Sequence, residues 1–143
     1  WFQNTRLLYW PLLNAGDFEM IRPLFDMYLR ALPLAEARVR TYFGHAGACF
    51  PETITFWGSY LNANYGCDRT GKAPGEVENR YIRHYWQGGL ELLYLGLDVY
   101  DFTRDENFLN GTLLRLAVPI LRCACAMMRE MATFSGAGVS RQS

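Results

Sequence analysis

What this chain lacks narrows its chemistry first. It has no excess of either charge, with 14 basic residues against 14 acidic ones. No basic run stands out, so the electrostatic footprint of a nucleic-acid-binding protein is missing. No apolar run reaches the ~18 residues that a membrane span needs. Leu113 to Met128 comes nearest, and Arg115 and Arg122 interrupt it; no membrane partner is expected. Only two histidines occur, His45 and His84, with no thiol or carboxylate joining them at ligand spacing, which argues against zinc. No glycine-rich phosphate loop follows a strand and no serine sits on a nucleophile elbow, so those enzyme classes are set aside. No metal and no cofactor are expected. Four cysteines are present, Cys49, Cys67, Cys123 and Cys125. Cys123 and Cys125 stand two apart on a helical stretch, so their side chains diverge and share no metal. Cys49 and Cys67 bracket a loop and could form a disulfide, but buried thiols are the simpler account.

No alternating strand pattern competes with the helical one, so the fold class is all-α. The spacing predicts a first helix over Asn4 to Asn14, capped by Asn4 and kinked or ended early by Pro11. Asp17 caps a second helix carrying Met20, Ile21, Leu24, Phe25, Tyr28, Leu29 and Leu32 at i, i+3, i+4 spacing. Pro23 should weaken its first turns, Pro33 should kink it, and Gly44 should end it near Tyr42. His45 to Asn79 reads as a long aromatic loop, with a turn or two of helix within Thr53 to Leu61. A loop of this length in a compact domain is functional more often than idle. A third helix is expected over Arg80 to Tyr100, apolar nearly all round except at Glu91 and Asp98. A short turn at Thr103-Arg104-Asp105 leads to a fourth, capped by Asp105 and running to Met131, with Gly111 and Pro119 as weak points. Short turns between long helices imply two antiparallel hairpins.

The chain starts at Trp1 and ends in a small polar tail, Ser135 to Ser143. Residues 1–143 are therefore expected to form one partial domain of a longer protein, with apolar surface left exposed and a tendency to misassemble.

Several residues could carry chemistry. Glu52, in an aromatic loop, could act as an acid, a base or a hydrogen-bond acceptor for a sugar, or simply be a solvated loop residue. His84 could donate to a hydroxyl or shuttle a proton, although a structural role is the commoner one. Trp86-Gln87-Gly88-Gly89 opens the third helix with the aromatic and amide groups that suit a carbohydrate pocket, and Trp57 offers a flat apolar face to sugar C–H groups.

The order of three segments resembles glycoside hydrolase family 95, the α-L-fucosidase group. Asn4 to Pro11, N-T-R-L-L-Y-W-P, is similar to its N-x-x-x-x-Y-W-P signature. Tyr42-Phe43-Gly44 through Phe56-Trp57-Gly58 resembles a segment ending in L-W-G. Trp86 to Leu109 resembles a W-P-x-G-G-A-W segment followed by a helix and Y-x-x-T-x-D-x-x-F-L, with Gly88, Gly89, Tyr100, Thr103, Asp105, Phe108 and Leu109 at matching places. The resemblance implies part of an (α/α)6 toroid, with the first and third helices inner and the second and fourth outer. It implies a bacterial, six-hairpin, inverting glycosidase acting on fucoside- or galactoside-like sugars of a complex glycan, and a periplasmic or secreted location. Asn4 matches an asparagine that positions the attacking water; the position of its companion two residues earlier holds Phe2. The family's general acid lies downstream of the last helix seen here, so the fragment alone is expected to be inactive.

On this reading Asn4 and Glu52 are the candidate catalytic residues, and Trp57, Tyr81, His84, Trp86 and Gln87 the candidate sugar contacts. Two rivals stand beside it. The first keeps the toroid: a polysaccharide lyase would use Tyr81 and His84 as a base pair and give unsaturated products, and a phosphorylase would depend on phosphate. A non-catalytic helical binding module would use none of these groups chemically. The oligomeric state is not specified by the sequence.

Overall fold

The computed structural model describes residues 2–58, 68, 70–73, 76, 78 and 85–139. Among these the fold is all-α, with four helices and no strands. α1 spans Phe2–Ala15 and α2 spans Phe18–Phe43. α3 spans Gln87–Thr103. α4 begins as Glu106–Phe108, passes through a π-helical turn at Leu109–Leu113 and continues as Leu114–Val139.

α1 begins before the expected cap, so Asn4 lies inside its first turn. A tertiary contact replaces the local one: the Phe2 N–H, an orphan donor at a helix start, bonds to the carbonyl of Glu52 at 3.0 Å. Pro11 does not end the helix. Gly16 does, at φ 78°. Its N–H returns to Leu13 and that of Asp17 to Leu12, the two bonds of a Schellman stop. α2 likewise runs unbroken through Pro23 and Pro33. Both prolines face solvent, where water can take the backbone bond that each ring denies. Asp17 stands at the N-cap of α2 without a side-chain bond, and Gly44 ends it in the left-handed region at φ 71°.

α3 starts later than its apolar pattern suggests. Tyr85 and Trp86 are not helical, while the expected opening at 80–84 lies outside the described residues. The helix stops at Arg104, a non-glycine at φ 51° whose N–H reaches the Tyr100 carbonyl at 2.7 Å. Asp105 then caps α4 as expected, accepting from the N–H groups of Asn107 and Phe108 at 2.9 and 3.2 Å. It also meets Arg22 of α2 at 3.4 Å. Asp105→Ala should lower unfolding free energy by about 1 kcal/mol, read as a drop in urea midpoint at constant slope. Asp105→Asn should recover most of that loss, since asparagine caps nearly as well.

The two hairpins lie side by side rather than winding up and down around a square. Phe2 of α1 abuts Gly88 of α3, and Arg6 reaches Glu91, so α1 and α3 run parallel. Phe25 of α2 meets Phe108, with ring centroids 5.1 Å apart, and Val39 shares a cluster with Cys123, so α2 and α4 also run parallel. The ends of α3 and α2 meet head to tail through Phe102 and Phe18. α1 and α3 thus form one layer, α2 and α4 the other. The core between them holds Ile21, Phe25, Leu92, Leu95, Leu113 and Leu116, each no more than 2% exposed. Gly96 permits the close approach: a Cβ there would lie 2.6 Å from Leu113 Cδ1 and 3.2 Å from Phe25 Cε1.

α3 is not covered on every side, contrary to its composition. Tyr94, Leu97 and Phe102 are more than half exposed, because α3 packs against α1 and α4 and meets α2 at Phe18 and Phe25, which leaves one side uncovered by the described residues. On α4 Leu114, Val118, Leu121 and Met128 form a second exposed apolar stripe. By length and composition Glu106–Arg129 passes as a membrane-spanning helix, a test that the core helix of a soluble protein also passes. Its Leu116, Ile120, Cys123 and Met127 are buried against the other helices.

Candidate functional site

The N-terminal end of α3 lies in contact with α1 at Gly88 and packs closely on α4 at Gly89. A Cβ on Gly88 would sit 3.4 Å from Phe2 Cβ, and one on Gly89 3.1 Å from Ile120 Cγ2. Gly88 and Gly89 therefore serve helix packing, whatever else they do. The segment from Phe50 to Gly58 folds over the start of α1. Phe50, 2% exposed, stands edge-on to Tyr28 at 4.8 Å, and Tyr28 stands edge-on to Phe2 at 6.2 Å. This run of three rings pins the loop to α1 and α2. The loop then turns back through a bond from the Gly58 N–H to the Thr55 carbonyl, so Thr53 to Gly58 are not helical. The Arg38 guanidinium holds the Gly58 carbonyl at 2.5 Å.

Two features result, one on each flank of α1. Toward α2 lies a groove of ≈ 330 Å³ whose walls include Phe2, Thr5, Tyr9, Tyr28, Glu52 and Phe56. It has the size of a small-molecule cleft and is mostly apolar, with Leu8, Leu24, Met27 and Ile54 beside the four rings and one carboxyl group, that of Glu52. Burial, and then the nearby Tyr9, pushes the Tyr28 hydroxyl far above its usual range, so Tyr28 stays a neutral donor. Toward α3 lies a polar cluster. One Glu91 carboxylate oxygen accepts from Arg6 Nη1 at 2.9 Å and from Gln87 Nε2 at 2.6 Å. Tyr85 faces the same charges. Desolvation raises its pKa, the Glu91 and Glu52 carboxylates raise it further, and Arg6 opposes them. Glu52, Glu91, Arg6 and Tyr85 thus share one electrostatic neighbourhood.

The expected site residues fall in different places. Glu52 is half-buried and lines the groove. Asn4 is exposed in the first turn of α1. Trp57 is 75% exposed and stacks on Phe56 with centroids 4.4 Å apart. Gln87 is committed to Glu91. Trp86 turns away from the groove and packs with Val39, Cys123 and Met127, its buried indole N–H without a hydrogen-bond partner among the described residues. Tyr81 and His84 lie outside the described residues. His45 is half-buried rather than simply exposed, with Nδ1 3.0 Å from the Ala46 carbonyl oxygen.

Arg6, Glu91, Tyr85 and the groove residues Tyr9 and Phe56 were not singled out from sequence. Arg6 and Glu91 are 85 residues apart, and nothing local joins them. The one available signal was Glu91 itself, four residues after Gln87 and the one charge in the first half of α3. Among the described residues no group of three His, Cys, Asp or Glu side chains converges for a metal ion.

No protein-family model, no curated protein and no solved structure matches this chain.

Proposed function

We propose that this chain is part of a carbohydrate-active protein, an inverting glycoside hydrolase of (α/α)6 toroid type, and that the groove beside α1 takes a fucoside- or galactoside-like sugar. The observation that carries the reading is the groove between α1 and α2, closed over by the Phe50–Gly58 loop through the Phe2 N–H bond to Glu52, with aromatic and aliphatic walls and the Glu52 carboxyl group among its lining residues. Parallel stacking of two antiparallel hairpins is also how a toroid places inner helices beside each other and outer helices beside each other. In this site the rings of Phe56 and Tyr9 would cover sugar C–H faces. Glu52 would accept hydroxyl protons or protonate the glycosidic oxygen. Arg6, Glu91 and Gln87 would set the local charge. Asn4, exposed next to the groove's helix, is retained as a group that orients water or a hydroxyl. The resemblance further implies a secreted or periplasmic setting.

The test uses the full-length protein that contains this chain with 2′-fucosyllactose, following binding by calorimetry and cleavage by release of fucose. Wild type should bind, and Glu52→Gln should cut any hydrolysis by about 100-fold or more and weaken binding. Normal turnover and affinity in Glu52→Gln would overturn the role given to Glu52. Absence of sugar binding by wild type would overturn the carbohydrate reading. A second reading, a non-catalytic sugar-binding module, is favoured by the exposed Phe56–Trp57 stack, a flat platform that could hold a sugar without cleaving it. Binding without hydrolysis, lost in Trp57→Ala, would decide for that reading.

A further inference from the structure

The loop that follows α2 presses one cysteine against another across the core. Gly47 adopts φ 128°, and a Cβ on it would fall 2.6 Å from the Cys123 backbone nitrogen and 2.9 Å from Cys123 Cα and Cβ. The next N–H along, that of Ala48, bonds to the Pro119 carbonyl at 2.9 Å. These contacts clamp the loop onto one turn of α4 on both sides of the cysteine. Two residues after Gly47, Cys49 joins the small apolar cluster built on Val39, Cys123 and Met127. Cys123 is 1% exposed, Cys49 is partly open to solvent, and both are thiols. The neighbouring Cys123 thiol, and then burial, hold the Cys49 thiol well above its usual range.

We propose that Cys49 and Cys123 form a dithiol–disulfide pair that staples the loop after α2 to α4 under oxidising conditions. The geometry is suited to this. The two backbones already touch, whereas Cys125, two residues further along α4, is exposed on another side of the helix and has no partner thiol in this cluster. The partner expected from loop spacing, Cys67, lies outside the described residues. The co-reactant is a small disulfide such as oxidised glutathione. The Cys49 sulfur, as thiolate, attacks one glutathione sulfur, a mixed disulfide forms and one glutathione thiolate leaves. Cys123 then loses its proton and attacks Cys49 Sγ, which forms the intramolecular bond and expels the second glutathione. Two protein thiols are oxidised, one glutathione disulfide is reduced to two thiols, and the protein loses two hydrogens. Because thiolate is scarce in a buried pair of this kind, the reaction is slow and the reduced state persists for as long as the surroundings are reducing. The bond would close a long loop and restrain the unfolded chain.

The test incubates the full chain in oxidised glutathione and measures intact mass and the disulfide-linked peptides. The expected result is the loss of two hydrogens' mass, one peptide pair joining Cys49 to Cys123, and a rise in melting temperature of roughly 10 °C that dithiothreitol reverses. Cys125→Ser should keep both the mass loss and the shift. Cys49→Ser and Cys123→Ala should each abolish both, and the reduced wild type provides the folded reference should either variant lose stability. Three results would overturn the proposal: a Cys49–Cys67 linkage, a stable glutathione adduct on Cys49 without ring closure, or thiols at Cys49 and Cys123 that remain alkylatable after unfolding.

Discussion

Gly47→Ala is expected to destabilise the protein by about 4 kcal/mol, and to lower its melting temperature by roughly 10 °C. Two separate costs add. At φ 128° an L-residue is strained whatever space surrounds it. The added methyl group also meets the Cys123 backbone nitrogen at 2.6 Å. That nitrogen belongs to a helix and cannot move aside as the end of a flexible side chain could. The loop must lift instead, breaking the bond from the Ala48 N–H to Pro119 and parting Cys49 from Cys123. Gly111→Ala is the natural control: a Cβ there meets nothing within 4 Å, and alanine is favoured over glycine in helical backbone by about 0.5 kcal/mol or more. Denaturant titrations of the two variants should move in opposite directions. An unchanged midpoint for Gly47→Ala would mean that the loop does not pack on α4 in this way.

Phe25→Ala should cost about 3–5 kcal/mol. The ring is 1% exposed and stands edge-on to Phe108 at an interplanar angle of 83°. It also fills the space that Gly96 leaves open on α3. It is therefore the point where α2, α3 and the start of α4 meet, and the backbone of three helices would have to shift to close the hole. Met20, five residues earlier on α2, is 63% exposed, so Met20→Ala should stay within about 0.5 kcal/mol of wild type. The measurement is the urea midpoint at constant slope for both variants. A loss below 1 kcal/mol for Phe25→Ala would show that α2 and α3 do not enclose this ring.

Sequence reading succeeded where the deciding interaction was local. Gly16, Gly44 and Asp105 marked helix ends because the backbone angles and capping bonds involve neighbours a few residues away. The i, i+3, i+4 pattern of α2 named seven residues, of which Ile21, Leu24, Phe25, Tyr28 and Leu32 are buried on one face, while Leu29 is partly buried and Met20 is exposed at its edge. Pro11 does not end α1, Pro23 does not delay the start of α2, and the helix continues past Pro33 to Tyr42 as expected. Asn4 misled the sequence reading: its type suits a cap, but a bond from Phe2 to Glu52 moves the helix start outside it.

The candidate site was less legible, and Glu52 shows why. Its loop composition marked it as interesting, but its position depends on the Phe2–Tyr28–Phe50 stack, which joins three segments distant in sequence. Trp86 and Gln87 are adjacent in the chain, yet they part company in space. Gln87 bonds to Glu91 on the α1 side, while Trp86 enters the cluster around Cys123. A non-helical residue at the start of a helix can point its side chain far from that of its neighbour, and no spacing rule anticipates the direction.

By itself the sequence determined an all-α chain, the approximate limits of its helices, the buried face of α2 and the pairing of consecutive helices into hairpins. These follow from side-chain periodicity and short connections, which act over a few residues. The tertiary structure alone decided that the hairpins stack in parallel, that one side of α3 stays open, that Glu91 takes Arg6 as its partner and that Cys49 lies against Cys123. Those outcomes depend on which small residues let two backbones approach, at Gly47, Gly88, Gly89 and Gly96, and a close approach is a property of two surfaces at once.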